Sequence, residues 1–281
     1  MSGHQIALRF RAPDRPGILA AITPLLAGHG CDVRDAQVFG DPDTGYFFVR
    51  MVLSSQRPLE QLKPSIEPLA RSLDLQWDLL DLARRPRVLV AVSKSGHCLL
   101  ELIHQSQTGQ LPIEIAGIVS NHETLRRTAE WHGLAYRHLC ASSGKPAQES
   151  ELLETVQSTG ADLLVLARYM QILSDDVAAG LHGRCINIHH SFLPSVKGAR
   201  PYHQAHLRGV KLIGATAHYV TAELDEGPII EQDVRRVTHA ATADDMVAAG
   251  REVEASVLAR AVRWHCEHRI FLNGNKTVVL H

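Results

Sequence analysis

Apolar and polar positions along the chain follow one rhythm before residue 84 and another after it. In the first stretch, Ile6, Leu8 and Phe10 alternate with polar neighbours over residues 5–11, which predicts a strand with one buried face. Ile18, Ile22, Leu25 and Leu26 then recur at helical spacing, with Gly28 and Gly30 as stop signals. Pro24 lies inside that helix and predicts a kink, because proline removes a backbone donor. Strands are expected over 32–39 and 46–53, joined by the turn Asp41-Pro42-Asp43-Thr44-Gly45. Leu59, Leu62, Ile66, Leu69 and Leu73 predict a second helix, expected to be broken at Pro64 and Pro68, and residues 75–82 a closing strand. The order βαββαβ is ferredoxin-like: an antiparallel sheet with both helices on one face.

After the charged junction Arg84-Arg85-Pro86-Arg87 the alternation disappears. Residues 87–92 are nearly all apolar, as in a strand covered on both faces. A helix carrying Leu99, Leu102 and Ile103 follows, then a strand over 113–119 and a helix from about Thr124. Further short apolar strands are expected at 162–167, 185–188 and 212–220, and a long amphipathic helix at 244–267. Strands alternating with helices predict a Rossmann-like α/β unit with a mostly parallel sheet. Ligands of such sheets bind outside the carboxyl ends of the strands. The expected domains are 1–84 and 85–281, and 281 residues suit two domains.

Composition narrows the function classes. With 29 basic and 30 acidic residues the net charge is −1, which removes the electrostatic case for nucleic-acid binding. No apolar run approaches the roughly 18 residues of a membrane span, and the first residues lack the apolar stretch of a secretory signal. Five cysteines, Cys31, Cys98, Cys140, Cys185 and Cys266, are scattered without a CxxC pair. A reduced, cytoplasmic protein is expected.

The densest polar cluster follows a strand: Asn187, His189, His190 and Ser191, with Pro194, Lys197 and Gly198 in the next loop. Asn187 and His189 are two apart and share a strand face. Asp225 follows the later strand, within Leu224-Asp225-Glu226-Gly227-Pro228. An amide and an imidazole can stabilise an oxyanion, and a carboxylate can polarise water. The plainer alternative is a turn-capping Asn187 and a satisfied, half-buried His189. Met170, Ile172 and Leu173 after a strand fit either core or a pocket wall. His203 and His206 are three apart, a possible metal edge, but no third ligand is indicated and no metal is expected. His218, on a strand near the cluster, is a candidate supporting group.

INIHHSFLPSVKGARPYHQA and GVKLIGATAHYVTAELDEGPII resemble the signature of the folate-dependent formyl transferases and hydrolases, over most of 87–281. The resemblance implies that Asn187 and His189 stabilise the oxyanion formed from a formyl group. It implies that Asp225 holds a water and helps move protons, that 10-formyltetrahydrofolate is the substrate, and that no further cofactor takes part. Leu166-Ala167-Arg168-Tyr169-Met170-Gln171-Ile172-Leu173 resembles the family's folate loop, so Tyr169, Met170, Gln171, Ile172 and Leu173 are the implied folate contacts. Ser93-Lys94-Ser95-Gly96-His97-Cys98 stands where the transferases carry a Gly-Asn-Gly-Ser-like phosphate loop. It is similar instead to the formyltetrahydrofolate deformylase branch, as are Ser120-Asn121-His122 and Pro201-Tyr202-His203-Gln204-Ala205. Val196 departs from an aromatic in the family.

Asp14-Arg15-Pro16-Gly17-Ile18-Leu19 resembles an ACT domain, a module that binds amino acids and usually pairs. It implies an effector site at Asp14, Arg15, Gly17, Ile18 and Leu19, methionine and glycine as opposed effectors, and a homo-oligomer. The implied activity is hydrolysis of 10-formyltetrahydrofolate to formate and tetrahydrofolate, which balances one-carbon pools and supplies formate for purine synthesis. Transfer of the formyl group to an amine acceptor, and a non-catalytic amino-acid or folate sensor, are the alternatives.

Overall fold

Residues 3–140, 144–191 and 201–281 are described in the computed structural model of the chain; Pro194, Val196, Lys197 and Gly198 lie outside the described residues. Two units emerge. The first comprises Met1–Arg85, Glu267–Asn273 and Val278–His281, the second Pro86–Cys266 and Gly274–Thr277.

In the first unit β1 (His4–Pro13), α1 (Ile18–Gly28), β2 (Cys31–Asp41), β3 (Tyr46–Ser55), α2 (Leu59–Ser72) and β4 (Gln76–Asp81) follow in the expected order. The sheet order is β2-β3-β1-β4, antiparallel throughout. Ile6, Leu8 and Phe10 of β1 share one core with Val49, Met51 and Leu53 of β3 and with Ile18, Ile22, Leu62 and Ile66 of the helices. Both helices run unbroken, against the break expected in α2 at Pro64 and Pro68. Pro24, Pro64 and Pro68 are exposed, so the carbonyls they leave without an amide partner lie on the water side. On the opposite sheet face, Phe48 packs with Phe271, Val278 and Leu280. The chain's final segments therefore join the first unit, where the pattern assigned all of 85–281 to the second.

The second unit holds β5 (Arg87–Val92), α3 (His97–Gln107), β6 (Glu114–Ser120), α4 (Arg126–Trp131), β7 (Tyr136–His138), α5 (Lys145–Ser158), β8 (Leu163–Leu166), α6 (Asp175–Gly180), β9 (Cys185–His189), α7 (Pro201–Leu207), β10 (Leu212–Tyr219), β11 (Ile229–Arg236) and α8 (Ala243–Cys266). The sheet runs β11-β10-β9-β8-β5-β6-β7; β5 to β9 pair in parallel, while β10 and β11 are antiparallel. From β5 the chain winds outward through β6 and β7, then returns to β8 on the other side. That reversal leaves a crevice beyond the carboxyl ends of β5 and β8, the standard ligand position in open α/β sheets. The last two strands, β12 (Ile270–Asn273) and β13 (Lys276–Val279), form a hairpin. Among the described residues no helix is long and apolar enough to cross a membrane.

Candidate active site

Strand pairing explains how the polar residues of the second unit converge. Antiparallel register sets His218 of β10 directly opposite Asn187 of β9, and Thr216 opposite His189. Residues facing each other in such a pair are side-chain neighbours. Asn187 Nδ2 and His218 Nε2 lie 3.2 Å apart. The other ring nitrogen, Nδ1, is 2.9 Å from the Tyr219 carbonyl, which can only accept. The neutral tautomer with its proton on Nδ1 satisfies both contacts: Nδ1–H donates to the carbonyl, and Nε2 accepts one of the two Asn187 amide protons. The second amide proton remains for another acceptor.

Asp225 reaches the same place from the loop after β10. Its φ is 58°, in the left-handed region that aspartate tolerates better than most residues. Two residues on, the Gly227 backbone runs so close to the Tyr219 carbonyl oxygen that an added Cβ would lie 1.7 Å from it. Asp225 Oδ2 sits 3.2 Å from His189 Nδ1 and Oδ1 lies 3.6 Å from His218 Nε2. The hydrogen bond from His189 holds the Asp225 carboxyl well below the usual carboxylate range, against a burial penalty of opposite sign. His189 Nε2 is buried and finds no hydrogen-bond partner among the described residues. The His190 ring stacks on that of His189 with centroids 4.9 Å apart, and burial first, then Arg168 and His189, lower its pKa to about 4.

Asn187, His189 and Asp225 line a cavity of about 370 Å³ together with all five residues of the 169–173 loop. The loop divides. Tyr169 and Leu173 are buried in the core with Val177, Leu181 and Cys185, and burial pushes the Tyr169 phenol up to about 12. Met170 and Ile172 are 60% and 59% exposed, an unusual state for large apolar side chains at a cavity mouth. Buried Ser93, at the end of β5, accepts the Met170 backbone N–H at 3.1 Å and donates to Asn121 Oδ1 at 2.7 Å. The Ser93 and Asn121 motifs thus pin this loop across three strand ends.

Behind the loop lies a carboxylate that pattern reading missed. Glu254 of α8 is 1% exposed. It falls on the buried stripe Met246, Gly250, Val253, Val257, Leu258 and Ala261, and a charged residue on an apolar stripe was the available signal. His97, Cys98 and Glu254 bring three metal-type donors within 4.8 Å of one another. However, both Glu254 oxygens already accept hydrogen bonds, from Tyr202 and His97, and the Arg168 guanidinium faces the same carboxylate. A cation there would meet that positive charge. His203 and His206 are exposed on α7 and join no metal-type group among the described residues. In the first unit, Ile18 points into the core and Leu19 packs against it, leaving Asp14, Arg15 and Gly17 of the proposed effector motif exposed.

A formyl transferase family model matches residues 86–262, and an ACT domain model matches residues 6–71. A formyltetrahydrofolate deformylase of Corynebacterium sp. (strain P-1) is 47% identical over 277 residues, 97% of either chain. The crystal structure of the formyltetrahydrofolate deformylase from Burkholderia mallei is 48% identical and superposes with a TM-score of 0.95, covering 99% of this chain and 100% of that one. A glycinamide ribonucleotide transformylase from Symbiobacterium toebii, 31% identical with a TM-score of 0.66, covers 95% of its own length but 70% of this chain.

Proposed function

This chain belongs to the formyl transferase family, among its formyltetrahydrofolate deformylases, and from that premise we propose that it hydrolyses 10-formyltetrahydrofolate to formate and tetrahydrofolate. The observation that carries the chemical reading is the 3.2 Å contact of His189 with Asp225, in one cavity with the Asn187 amide and the exposed apolar side chains of the 169–173 loop.

In this reading Met170 and Ile172 flank the pterin, and the formyl oxygen meets Asn187 and His189. The spare amide proton of Asn187 and the unpartnered Nε2 of His189 suit an oxygen that gains charge. In its charged form the His189 ring donates from both nitrogens, one to Asp225 and one to the oxyanion. Such donors bind the tetrahedral oxyanion more strongly than the neutral carbonyl, which is where rate comes from. A carboxylate with so low a pKa is a weak resting base, so Asp225 is read as holding the His189 ring and the attacking water. The water oxygen bonds to the formyl carbon, the C–N10 bond breaks, and the proton released by water ends on N10. Water is the only co-reactant, and no cofactor is needed.

The finer readings rest on the ACT match. Methionine and glycine are proposed to act in opposite directions through the exposed Asp14-Arg15-Pro16-Gly17 turn. The N-terminal unit is proposed to pair in a cytoplasmic homo-oligomer, and the formate formed to feed purine synthesis.

Formate release from 10-formyltetrahydrofolate, with no amine present, tests the activity and separates it from formyl transfer. Asn187→Ala and Asp225→Ala are expected to lower kcat by about 10²–10³-fold while tetrahydrofolate binding, read by calorimetry, stays within a few-fold. Wild-type turnover in a folded Asp225→Ala protein refutes the assignment.

A further inference from the structure

Arg168 is the second residue past β8 and the last before the 169–173 loop. It carries a full side chain at φ 64°, a conformation that residues with a Cβ seldom adopt unless their surroundings impose it. Its guanidinium turns inward rather than into water, 17% exposed, with Nε 3.4 Å from Glu254 Oε2. Nε and Nη1 are buried without a well-formed hydrogen bond, so charge rather than geometry ties this side chain to the carboxylate.

Glu254 is the meeting point of four elements. From α7, the Tyr202 hydroxyl donates to Oε1 at 2.6 Å; from α3, His97 Nε2 meets Oε2 at 2.8 Å; Arg168 comes from the end of β8. One turn earlier on α8, a Cβ at Gly250 would lie 2.1 Å from Tyr202 Cζ, so the bare glycine is what lets the ring lie against the helix and reach the carboxylate. Burial pushes the Glu254 carboxyl up, but His97, Arg168 and Tyr202 together outweigh it and hold the group ionised. A buried carboxylate that no catalytic step uses, matched by three donors from separate elements, is a structural anchor, and one of those donors, Arg168, stands at the entry to the folate loop.

We propose that Glu254 and Arg168 form a latch that fixes the 169–173 loop in its substrate-binding conformation, so that Arg168 is a positioning residue for the pterin and takes no part in the chemical step. This rests on the reading of that loop as the folate contact. Ser93 holds the loop's backbone at Met170 from one side, and the latch sets its entry angle from the other.

The test compares Arg168→Lys, Glu254→Gln and the double variant in the full-length protein. Arg168→Lys keeps the charge on a different shape; Glu254→Gln keeps the shape, removes the charge and turns one acceptor oxygen into a donor NH2. Each single variant is expected to raise KM for 10-formyltetrahydrofolate by roughly 10-fold, the scale of one charge-assisted contact, and to weaken tetrahydrofolate binding in parallel, with kcat within about threefold of the parent. The double variant should be no worse than the poorer single one, because both break a single interaction. A parental KM, a loss confined to kcat, or additive single effects overturns the latch. Should Glu254→Gln fail to fold, Arg168→Lys alone decides by the same KM and kcat criterion. Asp225→Ala assayed alongside separates the two readings. If it is inactive while the latch variants keep the parental KM, only the latch fails; if it turns over normally, the catalytic reading fails.

Discussion

Two ionisable groups beside the cavity have opposite consequences as pH falls. Asp225 has a folded pKa held below its unfolded value, so its contribution to stability is present above the unfolded value of about 3.9 and is lost only on further acidification. Across neutral pH it does not titrate, so Asp225 adds no acid limb to the rate there. His190 is the reverse of the usual histidine. Burial, Arg168 and His189 lower it to about 4, so the unfolded chain binds a proton that the folded protein refuses. Its destabilisation therefore begins as pH drops below the unfolded value of roughly 6.5 and grows until about pH 4. Thermal melts of the wild type and His190→Gln should diverge over that window, the wild type losing more Tm as acidity rises. Parallel curves would show that His190 takes up its proton in the folded state as easily as in the unfolded one. The residues that the motifs implied, Asn187, His189 and Asp225, were legible as types at set spacings. The tautomer of His218 was not, because it depends on a strand register that brings positions 187 and 218 together.

Between β10 and β11 the chain must turn back while presenting Asp225, and Gly227 makes that turn possible. An added methyl would overlap the Tyr219 carbonyl, part of the same backbone that receives the His218 proton. Gly227→Ala is expected to match Asp225→Ala in lost formate release, about 10²-fold or more, while circular dichroism stays native and Tm falls by a few degrees. Retained activity would mean that the loop shifts without moving the carboxylate. Elements of this kind mark where pattern reading stopped. Periodicity gave α1 and α2 correctly; the break expected in α2 was over-read, because Pro64 and Pro68 fall opposite the apolar stripe of Leu62, Ile66 and Leu69, where water can replace the lost hydrogen bonds. The short β7 has only three residues, too few for any period to register. The hairpin β12–β13 did leave a signal, Asn273-Gly274, with Gly274 at φ 62°.

The first unit is completed by residues from the opposite end of the chain, with the second unit inserted between. Phe271 is 3% exposed, meets the Phe48 ring edge-on at 5.5 Å between centroids, and lies beneath the Arg9 guanidinium at 4.4 Å. Asn273 Nδ2 donates to buried Asp41 at 2.6 Å, and Arg11 Nη1 donates to the Leu272 carbonyl at 2.9 Å. Residues 47–53 of β3 explain why this face needs a cover: Phe48 points away from the helices while Val49, Met51 and Leu53 point toward them, so the strand is apolar on both sides. That near-continuous run was a sequence record of two-sided burial, but nothing local identified a partner more than 200 residues away. Phe271→Ala removes a buried ring and should cost the first unit about 3–5 kcal/mol. Hydrogen exchange localises the effect: the amides of β1 and β3 are expected to exchange faster in the variant, while those of β5, β8 and β9 keep the parental rates. Unchanged exchange in β1 and β3 would show that the hairpin merely rests on a face that is stable without it.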